Sequence, residues 1–185
     1  MLKELLFAIW FFAPAGVANA TPVFTAKLPI LRSLKAPMDF GKTFRGQRVF
    51  GSHKTWCGFV AGVVMATIAL AVQQALVAHL AWARTLTTQV DYRGLPTLIL
   101  GPLFGIGVLG GDAIESFFKR QRHIPPGHGW FPFDQSDYII GGAITTAPFV
   151  RLSLREYILL IVFWVAAQII ATYIGFLIGF RERPI

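Results

Sequence analysis

The segment TWCGFVAGVVMATIALAVQQALVAHLAWA, residues 55–83, contains no Asp, Glu, Lys or Arg. A helix needs about 20 mainly apolar residues to cross the roughly 30 Å hydrocarbon core of a membrane. Residues 55–83 are therefore long enough for one transmembrane helix. The rest of the chain shows whether this helix is an isolated anchor or one span of a larger bundle.

Four further uncharged runs flank this segment, at 5–26, 94–111, 138–150 and 157–180. The run at 138–150 would rise only about 20 Å as a helix, so by itself it fits a re-entrant or buried segment as well as a span. We predict an all-α, polytopic integral membrane protein that forms a single transmembrane domain over 1–185. Its spans are expected at about 5–26, 57–78, 94–112, 138–150 and 157–180, the fourth of them short, with loops at 27–56 and 113–137.

The composition supports a membrane protein, because 55% of the residues are hydrophobic and only 14% are charged, against roughly 25% charged in soluble domains. The net charge of +8 comes from basic residues between apolar runs, where they set topology or attract anionic groups. Nucleic acid is therefore a poor partner. The single cysteine, Cys57, excludes an internal disulfide framework.

The first run has two interpretations, because Ala18-Asn19-Ala20 resembles the end of a cleaved secretory signal. Cleavage there would put the basic loop 27–56 outside the cell. Retention as a first span, with the N-terminus outside and the C-terminus cytoplasmic, gives twelve basic residues inside and five outside if the fourth run crosses. The positive-inside rule favours retention.

Several motifs resemble soluble-protein sites without their context. Gly105-Ile-Gly107-Val-Leu-Gly110 has GxGxxG spacing, but it lies inside an apolar span rather than between a strand and a helix. The pairs Gly101/Gly105 and Gly107/Gly111 instead predict close helix packing. The segment 46–55 departs from P-loop spacing, and the four histidines show no zinc-binding pattern.

The acidic residues are clustered, and four of the nine lie between Gly111 and Asp137. On a helix that continues from the third span, four polar residues share one face: Asp112, Glu115, Ser116 and Lys119. Asp134 and Asp137 share another face at a helix start. The turn-rich segment 124–129 can fold back so that the faces meet. Carboxylates from two helices suit Mg²⁺; the alternative is a solvated face with Asp caps.

Basic residues accompany these acids. Lys119, Arg120 and Arg122 lie on the same loop, and the first loop adds Lys42, Arg45, Arg48 and Lys54. Acids for a metal and bases for phosphates, on one side of a membrane, suggest a polyphosphate site beside a lipid headgroup.

At these residues the sequence resembles a known family. The runs Gly111-Asp112-Ala-Ile-Glu-Ser116-Phe-Phe-Lys119-Arg120 and Asp134-Gln-Ser-Asp137 resemble the two-part acidic signature of CTP-dependent phosphatidate cytidylyltransferases. Within that superfamily, three N-terminal motifs resemble the CDP-archaeol synthase family: PAGVANATP at 14–22, DFGK at 39–42 and RVFGSHKTW at 48–56. The likeness covers nearly the whole chain.

The resemblance implies a Mg²⁺-dependent enzyme that transfers CMP from CTP to a membrane lipid phosphate, with its site on the cytoplasmic side of the plasma membrane. It implies Asp112, Asp134 and Asp137 as metal ligands, and Asp112, Asp134, Lys119 and Arg120 as the catalytic set. The implied CTP-binding residues are Asn19, Asp39, Lys42, Lys54, Ser116, Lys119 and Arg120. A homodimer is a further possibility.

Two other functions remain open from the sequence. The lipid acceptor could be an ester-linked phosphatidate or another lipid phosphate rather than an archaeal ether lipid. The chain could also be a non-catalytic cation or proton channel or transporter, since intramembrane acids suit such a role. The bases Lys119 and Arg120 argue against a cation pathway.

Overall fold

The computed structural model describes residues 2–28, 36–125 and 128–179. Within them the chain forms six helices and a small hairpin. The helices are α1 (Leu2–Lys27), α2 (Trp56–His79), α3 (Ala81–Leu86), α4 (Thr97–Gln121), α5 (Phe133–Thr146) and α6 (Leu154–Leu177), and the hairpin strands β1 (Thr43–Phe44) and β2 (Gln47–Arg48) pair antiparallel.

Four of the helices, α1, α2, α4 and α6, are long and apolar enough to cross a membrane. The prediction of a multi-pass helical protein is thereby confirmed. Helix α5 has 14 residues and rises only about 21 Å, so its crossing stays a prediction, as do the five-span count and the orientation of the termini.

One detail differs from the sequence prediction. The first loop contains the β1–β2 hairpin, which an all-α assignment omits. Helix α4 continues to Gln121, as the shared helix face of Asp112 and Lys119 predicted, so the first part of the region 113–137 is helical. The helix continues because 113–121 contain no Pro or Gly, and it ends at Arg122 shortly before Pro125.

Glycines in α4 let two other helices approach closely. A Cβ at Gly101 would lie 2.6 Å from the Thr67 Cα of α2, and one at Gly105 would lie 2.5 Å from the Val63 Cα. On the next part of α4, Gly107 and Gly111 pack in the same way against the α5 backbone at Gly141 and Asp137. The predicted packing role of these pairs is confirmed.

Helix α1 contains Pro14, which has no N–H for the carbonyl of Trp10 one turn earlier. The buried Gln73 side chain of α2 replaces that donor, since its Nε2 donates to the Trp10 oxygen at 2.5 Å. A neighbouring helix thus satisfies the backbone group that the proline leaves free, as an apolar environment requires.

Helix α1 also supplies part of the core. Phe7, Phe12 and Ala15 are fully buried, and the Phe12 ring packs edge-on against Phe104 of α4 and Trp164 of α6. The first apolar run, whose retention the sequence favoured, is therefore integral to the packing of this structure.

Helix α6 packs beside α1 and runs parallel to it. Its start lies near the start of α1, where Arg155 Nε is 3.4 Å from Glu4 Oε2. Further along, the Trp164 ring lies against Gly16, and the Tyr138 hydroxyl of α5 donates to the Trp164 carbonyl at 3.1 Å. Gly58 at the start of α2 contacts Pro22 near the end of α1, and Gly111 of α4 contacts Asp137 near the start of α5. The ends of α1, α4 and α6 and the starts of α2 and α5 therefore lie toward one end of the bundle.

Candidate active site

The acidic face of α4 forms one wall of a polar cluster at this end of the bundle. Glu115, Ser116 and Lys119 are buried there, with less than a tenth of each residue exposed. Lys119 Nζ lies 2.7 Å from Asp134 Oδ1 of α5 and 3.4 Å from Glu115 Oε1. The prediction that the two carboxylate faces meet is confirmed, and Lys119 is the cation between them.

The first basic loop reaches the same wall through Lys54. Its Nζ lies 2.5 Å from Asp112 Oδ2, and both side chains are about a quarter exposed. Lys54 precedes Thr55, whose side chain caps α2 by accepting from the Gly58 N–H at 3.2 Å. The helix start therefore fixes the point from which Lys54 reaches α4.

The start of α5 brings in the remaining acids. Asp134 Oδ2 accepts from the Trp130 N–H at 2.6 Å, which fixes its carboxylate beside Lys119. Asp137 lies within electrostatic reach of both Asp112 and Asp134. The Asp137 backbone carbonyl lies so close to Gly111 that any side chain at position 111 would collide with it. The start of α5 therefore packs directly against α4.

Asp39, one of the residues expected to shape the CTP-binding pocket, makes its contacts within the first loop. Its side chain is fully buried and ion-paired with Arg48, and it accepts from the N–H groups of Gly41 at 2.9 Å, Phe50 at 3.1 Å and Gly51 at 2.9 Å. Burial alone would raise its pKa, but these donors hold the pKa of Asp39 well below its usual range. Asp39 therefore anchors the loop that carries Lys54.

The other expected site residues are dispersed. The Arg120 side chain passes close to Gly51 of the first loop and donates to the Pro125 carbonyl at 3.5 Å. Lys42 is exposed beside the hairpin. Asn19 Nδ2 donates to Gln168 Oε1 of α6 at 3.4 Å, so it links two helices.

Sequence reasoning missed two features of this arrangement. The first is the contact between Asn19 and Gln168, which lie far apart along the chain. The sequence signal for it was that Gln168 is a polar residue within an apolar run. Arg48 was grouped with the phosphate-binding bases, whereas the structure pairs it with Asp39. The glycines at 41, 46 and 51, all with positive φ, indicate the compact turn that makes this pairing possible.

A magnesium ion can be tested against these donors. Among the described residues, no three His, Cys, Asp or Glu side chains converge to form a complete metal site. Mg²⁺ usually takes one or two carboxylates and completes its shell with water and substrate phosphate. The side chains of Asp112 and Asp134 are each about a quarter exposed and each bind a lysine ammonium group, so solvent reaches them and they fit a metal that arrives with a triphosphate.

Comparisons with known proteins agree with this architecture. A family model described as CarS-like, CDP-archaeol synthase, matches residues 1–185. The CDP-archaeol synthase of Pyrococcus furiosus is 33% identical over 162 residues, covering 87% of this chain and 86% of that protein. That of Thermococcus gammatolerans is 30% identical over 185 residues, covering 99% and 98%.

A solved structure described as giving "structural insight into an intramembrane enzyme for archaeal membrane lipids biosynthesis" is also similar. It is 25% identical and has a TM-score of 0.68. The match covers 89% of this chain and 91% of that one.

The family match and these relatives show that this multi-pass helical bundle is a membrane-embedded transferase of the CTP-dependent cytidylyltransferase class. Within that class, the chain belongs to the CDP-archaeol synthase family, whose model matches it over its full length.

Proposed function

We propose that this protein transfers the CMP unit of CTP to a membrane lipid phosphate, 2,3-bis-O-geranylgeranyl-sn-glycerol 1-phosphate or a close analogue. An oxygen of the lipid phosphate attacks the α-phosphorus of CTP, a new P–O–P bond forms, and the bond from the α-phosphorus to the bridging oxygen breaks. The products are a CDP-lipid and pyrophosphate.

The observation that carries this proposal is the double ion pair at one end of the bundle. Lys54 binds Asp112 and Lys119 binds Asp134, so three separate chain segments meet through alternating charges. When CTP and a cation bind together, the lysines can turn to the phosphates while the carboxylates bind the cation. The lysines then offset the triphosphate charge that the cation leaves unneutralised.

Each residue has a defined task in such a site. Asp112 and Asp134, with Asp137 beside them, would hold Mg²⁺, which supplies charge neutralisation on the triphosphate oxygens. Lys54, Lys119 and Arg120 would stabilise the negative charge that develops on the departing pyrophosphate. In such transfers, much of the rate enhancement comes from holding the attacking phosphate oxygen and the leaving pyrophosphate in line with the α-phosphorus.

The remaining expected site residues have supporting tasks. Ser116 lies buried on the acidic face, within the same turn as Glu115, and would donate a hydrogen bond to phosphate. Lys42 is exposed and free to approach the nucleotide. Asp39 and Asn19 would act through position, since Asp39 shapes the loop and Asn19 ties α1 to α6.

We further propose a plasma-membrane enzyme with its site on the cytoplasmic side, the N-terminus outside and the C-terminus inside. Loop charge supports this orientation. The path of the chain supports a crossing at α5, because α5 starts at the site end whereas α6 starts beside Glu4 at the other end. A homodimer would be compatible with the exposed apolar surface of α6.

The deciding experiment supplies purified protein with labelled CTP, Mg²⁺ and a panel of ether-linked and ester-linked lipid phosphates. We expect a labelled CDP-lipid, fastest with the geranylgeranyl ether, and none after chelation with EDTA until Mg²⁺ is restored. Faster turnover of the ester-linked lipids would overturn the substrate assignment. Absence of product with every lipid would overturn the enzymatic function and return a transport role to consideration.

A further inference from the structure

A cavity of about 480 Å³ lies between the β1–β2 hairpin and the end of α4. Its lining includes Phe44 and Arg45 of the hairpin, Phe117, Phe118 and Gln121 of α4, and His123. The volume falls within the range of small-molecule sites, about 300–1,000 Å³. We call it the hairpin groove.

The hairpin groove lies on the side of α4 that faces away from the acidic cluster. Gln121 is about two and a half turns beyond Asp112, which places it on the opposite side of the helix. The same side carries exposed apolar residues along the membrane-spanning part of α4, namely Ile106, Ile114 and Phe118. A Cβ at Gly110, between them, would meet no atom within 4 Å. An open apolar track therefore runs from the membrane into the groove.

The walls of the groove combine aromatic rings with hydrogen-bond donors. The Phe44 and Phe117 rings lie 5.8 Å apart, and the Arg45 guanidinium stacks over Phe44 at 5.4 Å. Arg45 (φ 51°) lies with Gly46 in the two-residue turn of the hairpin, and His123 (φ 59°) lies directly after the end of α4. Left-handed conformations are usual in such turns and at such helix ends, and they fix where the two basic side chains leave the backbone.

Aromatic rings and basic groups at the end of a membrane helix are the chemistry that recognises an anionic lipid. The Phe rings offer apolar contact to the first part of an acyl chain, and the guanidinium and imidazole can donate to phosphate oxygens. A nucleotide bound here would have its phosphates on the wrong side of α4 to reach Asp112.

We propose that the hairpin groove binds the phosphate headgroup of an anionic membrane phospholipid, with one chain along the α4 track. The bound lipid holds the hairpin against α4. Because Asp39 ties the hairpin to the turn at Gly51, the lipid would order the loop that carries Lys54. Because the groove lies on the side of α4 opposite Asp112, a lipid phosphate bound there is away from the proposed transfer site, and its binding does not depend on cytidylyl transfer.

The test is lipid binding to the full chain, without CTP or metal. Detergent-solubilised protein is titrated with phosphatidylglycerol or phosphatidylcholine, and the bound lipid is counted by native mass spectrometry. We expect a saturable phosphatidylglycerol site, weakened about fivefold by Arg45→Gln and further by adding His123→Gln. Arg151→Gln, an exposed basic residue in the connection between α5 and α6, is the matched control.

A second measurement needs no variant. Hydrogen exchange of residues 43–48 should slow when phosphatidylglycerol, but not phosphatidylcholine, is added to the native protein. Equal binding by the Arg45→Gln/His123→Gln and Arg151→Gln variants would overturn the proposal. Displacement of phosphatidylglycerol by CTP, with unchanged exchange at 43–48, would also overturn it and indicate a nucleotide site. None of these outcomes depends on whether the protein forms a CDP-lipid.

Discussion

Replacing Asp112 by Asn tests the central ion pair of the site with little change of shape. In the structure Asp112 Oδ2 is 2.5 Å from Lys54 Nζ, and the side chains are 28% and 25% exposed. Because water reaches this pair, its net contribution to folding is about 1 kcal/mol or less. The variant should therefore remain folded.

The effect on catalysis should be much larger than the effect on stability. Removing one group that stabilises transition-state charge typically costs about 10²–10³ in rate, or roughly 3–4 kcal/mol. Asp112 is expected to contact both the metal and, through Lys54, the triphosphate region. We therefore expect kcat/KM for CDP-lipid formation to fall at least about 10³-fold, measured with labelled CTP in detergent or nanodiscs.

Two controls separate catalysis from packing. Arg155→Gln removes a comparable ion pair with Glu4 at the other end of the bundle and should leave turnover near that of the native protein. The double variant Lys54→Met/Asp112→Asn leaves no unpaired charge. If the ion pair served packing alone, activity would therefore return in the double variant. Recovery in the double variant, or more than a tenth of native turnover in Asp112→Asn, would refute the assignment.

Three further predictions concern packing and the first loop. Gly107→Ala should lower stability in detergent by about 1–3 kcal/mol through collision with the α5 backbone, whereas Gly110→Ala should be neutral or stabilising. Equal melting temperatures of these two variants would contradict the close-packing argument. Gln73→Leu should cost about 1–3 kcal/mol because it leaves the carbonyl freed by Pro14 unpaired, and adding Pro14→Ala should recover part of that loss in the same melting assay. Because the pKa of Asp39 is lowered in the folded protein, its ionised form stabilises the first loop above the ordinary pKa near 4, and this stabilisation is lost as pH falls toward the lower folded pKa. Proteolysis within 39–51 should therefore accelerate in acid. Equal resistance of the native protein at pH 3 and pH 7 would count against the role of Asp39 as the anchor of this loop.

The candidate site illustrates what a residue pattern can predict. The spacing of Asp112, Glu115, Ser116 and Lys119 determines that they share a helix face, because a helix repeats every 3.6 residues. The turn-forming residues at 124–129 allowed the chain to fold back so that the two acidic faces could meet. The structure confirms the meeting of the faces through Lys119 and Asp134.

The role of Asp39 was not predictable in the same way. A carboxylate near Lys42 and Arg48 in a glycine-rich loop resembles a nucleotide-binding residue as closely as it resembles a loop anchor. The difference depends on whether the backbone folds so that the Gly41, Phe50 and Gly51 N–H groups point at one carboxylate. That convergence requires positive φ angles at several turn positions, which sequence spacing does not specify.

By itself, the sequence determined that this chain is a helical membrane protein with acids and bases gathered near one end. Length and polarity decide this, because an uncharged run of about 20 residues is stable across a bilayer only as a helix. Tertiary structure alone decided which acid pairs with which base, since Lys54 and Asp112 are 58 residues apart. It also decided that Gln73 would satisfy the carbonyl freed by Pro14. Such pairings depend on how helices pack, and close packing at glycines sets that geometry.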